Sequence, residues 1–193
     1  KFQKLIKNNY LNNNVNQKNL IFIFNICNFL KINLKKIIPT LNKFKGLRFR
    51  NEIVINGKKI KVINDSKSTS FSSTQELIDT KKKTFWILGG LPKKGDKFTL
   101  SKKDCFNLKA YIFGKNAEFF VKRLKDKVHY QKFNNIISAI KKIKIDFKKE
   151  QKSVEKIILF SPASASFDNF KNFEDRGRYF NSKIRKIGIN GKK

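Results

Sequence analysis

Along residues 19–41 the apolar positions Leu20, Ile23, Phe24, Cys27 and Leu30 or Phe29 recur at helical spacing. The pattern predicts two helices, the second from about Leu34 to Leu41 with Pro39 near its end. Residues 42–51 form a short basic connector. From Glu52 the pattern changes. Glu52–Asn56 and Lys59–Ile63 read as a hairpin around Asn56-Gly57, a strong two-residue turn signal. Compact apolar runs follow at Val62–Ile63, Phe85–Leu88, Ala110–Phe113 and Ile157–Phe160. Helical candidates lie between them at about Ser72–Thr80, Ala117–Leu124 and Asn135–Ile145, the last with an Ile136, Ile137, Ile140, Ile143 stripe. Short buried strands alternating with helices predict an α/β fold with a doubly wound, mostly parallel, Rossmann-like sheet.

The polar segments fall at telling places in that pattern. Asn64-Asp65-Ser66-Lys67 leaves one strand, Gly89-Gly90 the next, Gly114-Lys115 another and Ser161-Pro162-Ala163 the last. Ligands of open parallel sheets gather outside the carboxyl ends of the strands, so these segments predict a single binding face.

Composition adds a second question. The chain has 45 Lys+Arg against 14 Asp+Glu, a net charge of +31, which by itself invites a basic nucleic-acid-binding module. Only Arg48, Arg50, Arg123, Arg176, Arg178 and Arg185 are arginines, and lysine is the poorer residue for bidentate recognition. Abundant Asn, Ile and Phe accompany the lysines, as expected of A- and T-rich codon usage, so the charge reads as a solvated surface rather than a specific nucleic-acid site. Cys27 and Cys105 match no metal or redox spacing and read as small buried hydrophobes. The apolar run Leu20–Leu30 is too short to span a bilayer, no signal peptide is visible, and membrane insertion is not expected. With no methionine, including at position 1, the chain reads as a fragment or partial gene product.

Three segments carry candidate chemistry. Residues 63–70 place a carboxylate, an ammonium and hydroxyls in one strand-to-helix turn: Asp65 suits a ribose hydroxyl, Lys67 an anion, Thr69 a carboxylate. Helix capping explains the hydroxyls and the carboxylate but not the lysine. Residues 89–97 have the wrong glycine spacing for a phosphate loop, and a solvated basic turn is an equal alternative there. Residues 161–180 open with small residues and run into a helix whose N-terminus can receive an anion. Phe170 and Phe173 lie one helical turn apart, a spacing that also suits core packing. His129 has no carboxylate neighbour and reads as a surface or strand residue.

At these residues the sequence resembles the D-glutamate-adding branch of the Mur ligase family. Ser161–Phe180 resembles the family's terminal motif over its full length, Ile63–Ser70 its Asn-Asp-Ser-Lys-Ala-Thr-Asn motif, and Trp86–Phe98 its Gly-Gly-x-x-Lys loop. Gly46–Arg50 and, faintly, Asn13–Asn19 resemble two further motifs, with Phe49 and Val15 where histidines are usual, Arg48 for Pro and Ser164 for Cys. The resemblance implies that residues 1–48 end a central ATPase domain and that residues 49–193 form the C-terminal domain. It implies a cytoplasmic, monomeric enzyme of cell-wall precursor synthesis. That enzyme uses ATP and Mg2+, joining D-glutamate to UDP-N-acetylmuramoyl-L-alanine through an acyl phosphate. Thr69, Lys93, Ser166 and Phe173 would then hold D-glutamate, Asn19 the adenine, and Arg50 and Asp65 the ribose and phosphate region. Lys67 would neutralise charge at the reacting phosphate, no residue of this chain is singled out as a metal ligand, and the Mg2+ ligands would lie mostly outside it. The chain lacks the Gly-x-x-Gly-Lys-Thr/Ser phosphate loop and the UDP-binding domain, so it is expected to be inactive alone, and a non-catalytic remnant is the alternative.

Overall fold

A computed structural model describes residues 2–8, 10–12, 14–150 and 154–189. The chain divides into two compact units, Lys1–Leu47 and Arg48–Lys193.

In the first unit, helix α1 spans Asn14–Phe29 and α2 spans Leu34–Lys43. α1 starts earlier than the apolar stripe indicates, because a polar first turn leaves no mark in hydrophobic periodicity. Asn33 caps α2 by accepting from the Lys35 N–H at 3.0 Å. The Asn8 amide donates to the Leu41 and Phe44 carbonyls at 2.9 and 2.6 Å, satisfying groups that the helix end leaves open. Ile6, Leu11 and Leu20 form the small core, with Ile23, Phe24, Ile38 and Leu41 packed on it.

The second unit is built on six strands: β1 Glu52–Asn56, β2 Ile60–Asn64, β3 Lys83–Gly89, β4 Leu108–Phe113, β5 His129–Phe133 and β6 Lys156–Phe160. They lie in the order β1-β2-β6-β3-β4-β5. Only β1 runs antiparallel, paired with β2. The helices are α3 Phe71–Gln75, α4 Ala117–Leu124, α5 Ile136–Lys149 and α6 Phe173–Lys186. The expected parallel α/β architecture is present.

Alternation along the central strands feeds two cores. Trp86, Leu88, Ala110 and Ile112 pack with Phe71 of α3 and Phe120 of α4 on one face. Phe85, Ile87, Tyr111 and Phe113 pack with Ile140 of α5 and Phe180 of α6 on the other. A fully buried side chain of this size contributes roughly 1.5–3 kcal/mol, so the sandwiched β3 and β6 anchor the unit.

Two elements differ from expectation. β5 (His-Tyr-Gln-Lys-Phe) carries almost no apolar signal, because it is an edge strand held by β4 alone. The helix expected over Ser72–Thr80 stops at Gln75. There the chain tightens through Leu77 N→Thr74 O and Ile78 N→Gln75 O, which packs Leu77 and Ile78 against the core.

On the Tyr111 face, buried Asp146 of α5 accepts from Lys109 Nζ (2.6 Å), Lys142 Nζ (2.7 Å) and the Tyr111 hydroxyl (2.7 Å). Burial raises the Asp146 pKa, but the two ammonium groups and the hydroxyl outweigh it and hold the carboxyl down at about 2. The folded value is below the unfolded one. The cluster therefore stabilises the fold above the ordinary carboxylate range and loses that contribution as pH falls through about 2. Asp146→Asn is expected to cost about 1.5 kcal/mol near neutral pH in urea unfolding and to flatten the acid limb of the stability profile.

Candidate functional site

The carboxyl ends of β2, β6 and β3 lie side by side. β2 leads into α3 on one face of the sheet and β6 leads to α6 on the other, which makes β6 a topological switch point, the kind of place where ligands of open α/β sheets bind. The loops at this edge are stitched together. Asp65 N donates to Phe160 O at 2.7 Å, and Ser161 N to Ile87 O at 3.3 Å. Leu91 and Ala165 exchange both backbone bonds as an antiparallel bridge. Asp96, past Lys93, accepts from the Phe71 N–H at 2.6 Å, tying the β3 loop to the start of α3. Gly90 sits at φ +126, and a Cβ there would come within 2.5 Å of the Ser164 hydroxyl, so only glycine lets these loops approach.

Arg176 of α6 is the hub of this edge, and the sequence reading passed over it. It is fully buried, and all five of its N–H groups are used. Nε donates to Ser66 Oγ (3.1 Å) and Nη2 to the Ser66 and Ser164 carbonyls (2.8 and 2.9 Å). Nη1 donates to Ser164 Oγ (3.3 Å) and the Ala165 carbonyl (3.1 Å). One planar cation thus fixes the loop after β2 against the loop after β6. Burial lowers its pKa to about 10, opposed by the charges of Asp168 and Asp65, and it stays protonated at neutral pH.

Asp65 is almost completely buried. Its Oδ1 accepts from the Asn51 N–H at 3.0 Å and its Oδ2 from the Ser161 hydroxyl at 3.2 Å. Burial pushes its pKa up to about 7 against the pull of those bonds and of Arg50 and Arg176. The 48–51 turn that supplies Asn51 is strained: Phe49 and Asn51 have φ of 61 and 51, and Ala163 across the site has 54. Left-handed backbone at such residues costs about 1 kcal/mol each, and strain of this kind collects at functional sites.

The sequence-derived residues fall as follows. Lys67 and Phe173 meet, the Lys67 ammonium lying 4.2 Å from the ring centroid of Phe173 in the first turn of α6. Ser166 is buried on the loop that Arg176 holds, and its hydroxyl makes no hydrogen bond among the described residues. Thr69 and Lys93 are exposed on their loops, without a side-chain hydrogen bond or ion pair among the described residues. Arg50 is exposed in the turn beside Asp65. The edge therefore gathers the loops of Thr69, Lys93, Ser166 and Phe173, and among the described residues no hydrogen bond or ion pair joins the side chains of Thr69, Lys93 and Ser166. Asn19 belongs to the first unit, exposed on α1, donating to Asn16 Oδ1 at 3.3 Å. Phe170 packs on the core beside Tyr179. His129 is exposed on β5. Among the described residues no group of His, Cys, Asp or Glu assembles to hold a metal, and no helix is long and apolar enough to cross a membrane.

No family model matches the chain. It is 36% identical over 166 residues to the UDP-N-acetylmuramoylalanine–D-glutamate ligase of Wolbachia sp. subsp. Brugia malayi, a match covering 86% of this chain and 33% of that protein. It is 34% identical over 176 residues to the ligase of that name from Francisella philomiragia subsp. philomiragia, covering 89% of this chain and 41% of that protein. The chain thus spans about a third to two fifths of the length of these relatives. A solved MurF ligase from Thermotoga maritima in complex with ADP covers 84% of this chain and 37% of its own at 17% identity, with a TM-score of 0.48.

Proposed function

We propose that the chain belongs to the Mur ligase family and supplies one wall of the active cleft of an ATP-dependent ligase acting on D-glutamate and UDP-N-acetylmuramoyl-L-alanine. The observation that carries this reading is the stitching of the β2, β3 and β6 loops onto one edge by Arg176, the Leu91–Ala165 bridge and the Asp96–Phe71 bond. Such an edge offers the exposed ammonium of Lys93 and the hydroxyls of Thr69 and Ser166 to a small dicarboxylate amino acid. Charge-assisted bonds to two carboxylates favour that donor set. Phe173 closes the site on its apolar side.

The nucleotide is assigned to the neighbouring turn. Bound ATP supplies the phosphoryl group that activates the acceptor carboxylate for attack by the glutamate amine. Asp65 retains acceptor capacity beyond its two internal bonds and would take a ribose hydroxyl, while exposed Arg50 would face phosphate. Lys67, steadied over the Phe173 ring, would place its charge where negative charge builds on the transferring phosphoryl group. Among the described residues no group of His, Cys, Asp or Glu is placed to hold Mg2+, whose ligands would come mostly from elsewhere in the ligase. The reading makes the whole ligase a cytoplasmic monomer, with the rest of its active site outside the residues described.

The test is kinetic. In the ligase that contains this chain, Lys93→Ala is expected to raise half-saturating D-glutamate at least about tenfold while leaving half-saturating ATP within about twofold, since one charge-assisted bond is worth about 1.5 kcal/mol. Phosphate release that shows an unchanged D-glutamate dependence removes the assignment.

A further inference from the structure

We propose that Thr74 and Ser161 are positioning residues that couple the state of the Asp65 carboxyl to the loop carrying Thr69, through an unbroken run of hydroxyl hydrogen bonds. The run begins with Ser161 Oγ donating to Asp65 Oδ2 at 3.2 Å. It continues from Ser161 to Thr74 Oγ1 at 2.8 Å, from Thr74 to Ser68 at 2.6 Å and from Ser68 to Ser73 at 2.8 Å. Ser73 in turn touches Ser70 at 3.1 Å, and Ser70 touches Ser72 at 2.9 Å. Ser68, Thr74 and Ser161 are at most 3% exposed, so water does not substitute for a missing link.

Each hydroxyl has a single proton, and in the Ser68–Thr74 and Thr74–Ser161 links either oxygen can donate. The direction of the run is therefore set at its end. With Asp65 ionised, Ser161 spends its proton on the carboxylate and must accept from Thr74. Thr74 then accepts from Ser68, and Ser68 from Ser73. With Asp65 protonated and donating, every link reverses, and the Ser73 proton is free for the Ser70 carbonyl, 2.9 Å away. Ser70 directly follows Thr69 and caps α3 by accepting from the Ser73 N–H at 3.3 Å. The carboxyl state therefore decides how Ser73 bonds the residue next to Thr69.

The charged groups acting on Asp65 are Arg50 from the 48–51 turn and Arg176 from α6. Glu52 of β1, the register partner of Asn64, spends its carboxylate on the Phe49 N–H. α3 carries no charge, and the end of β6 offers Asp65 only the Phe160 carbonyl and Ser161. Burial brings the carboxyl to about 7, so both states are populated near neutral pH. A consequence for D-glutamate rests on the ligase reading above; the coupling itself does not.

The experiment is an amide-resolved NMR pH titration of the full chain, without ligand, from about pH 5 to about pH 9. Amides of Ser161, Thr74, Ser68, Ser70 and Ser73 are expected to shift with one shared midpoint, and Asp65→Asn to abolish the shift. In Thr74→Val the Ser161 amide keeps the transition, as does Ser68, whose N–H donates to the Asp65 carbonyl at 2.9 Å, while Ser70 and Ser73 lose it, and Thr74→Ser restores it. If Thr74→Val does not fold, Ser68→Ala cuts the run one link further on, leaving Thr74 titrating and Ser70 and Ser73 silent. Titration of Ser70 and Ser73 at full amplitude in a folded Thr74→Val or Ser68→Ala, or no shared midpoint in the wild type, overturns the proposal. Neither result depends on the assigned substrate.

Discussion

Arg176→Met is expected to destabilise the second unit by about 4 kcal/mol, a large fraction of the roughly 5–15 kcal/mol margin of an ordinary domain. The methionine fills much of the space left by the guanidinium stem but supplies none of its donors. The Ser66 and Ser164 carbonyls, both served by Nη2, are left buried and unpaired, and each costs the desolvation of a backbone oxygen. Among the described residues no hydrogen bond joins Ser66 to Ser164 except through Arg176, so the loops are expected to loosen at these two residues before the sheet unfolds. Arg176→Lys restores the charge but not the fork, because an ammonium cannot hold five acceptors in one plane, and it is expected to recover less than half of the loss. Urea unfolding of the two variants gives the magnitudes, and amide hydrogen exchange at Ser66 and Ala165 tells whether the loops open first. A drop of less than about 1 kcal/mol in Arg176→Met means that the stitching is decorative and the edge is held by the sheet alone.

How much of this was legible in the sequence depends on which residues carry the information. The central strands were, because Phe85–Leu88 and Ile157–Phe160 are apolar on both faces and only a doubly covered sheet has use for them. β5 was not, because an edge strand with one partner needs no apolar run. The loops at the carboxyl edge were legible in position, from the polar segments that follow the strands, but the bonds that join them were not. Arg176 illustrates the gap. It stood within a segment singled out for its motif, yet its signal was positional: Arg176, Phe180 and Ile184 share one stripe of α6, and all three are buried. An arginine in an apolar stripe must find acceptors, and only the folded chain says which. Asp65 is similar, since its proximity to Lys67 and the hydroxyls could be read but its burial could not. The fold brings the three loops assigned to D-glutamate, those after β2, β3 and β6, to one edge.

Gly177→Ala is expected to cost about 3 kcal/mol, although glycine to alanine in a helix interior ordinarily gains about 1 kcal/mol. The reason is a single contact. A Cβ on Gly177 would lie 2.3 Å from Cδ1 and 2.6 Å from Cγ of Phe49, whose ring packs directly on the helix backbone. Phe49 cannot easily retreat: it is buried, it holds a φ of 61, and its carbonyl accepts from the Lys67 N–H at 3.0 Å. Displacing it moves Asn51 away from the Asp65 carboxylate and Lys67 away from its perch over Phe173. A double-mutant cycle isolates the cause. Phe49→Ala removes the ring at a cost of about 3 kcal/mol as a cavity, but in that background Gly177→Ala is expected to be neutral or slightly stabilising, a coupling of at least about 2 kcal/mol. Strictly additive losses would show that Gly177 is needed for something other than the approach of Phe49. The cycle also reads the site, because an Asp65 carboxyl that loses its Asn51 bond should titrate higher in Gly177→Ala than in the wild type. Fold and chemistry meet in this one pair, where the absence of a side chain on α6 admits the aromatic ring that sets the turn against Asp65.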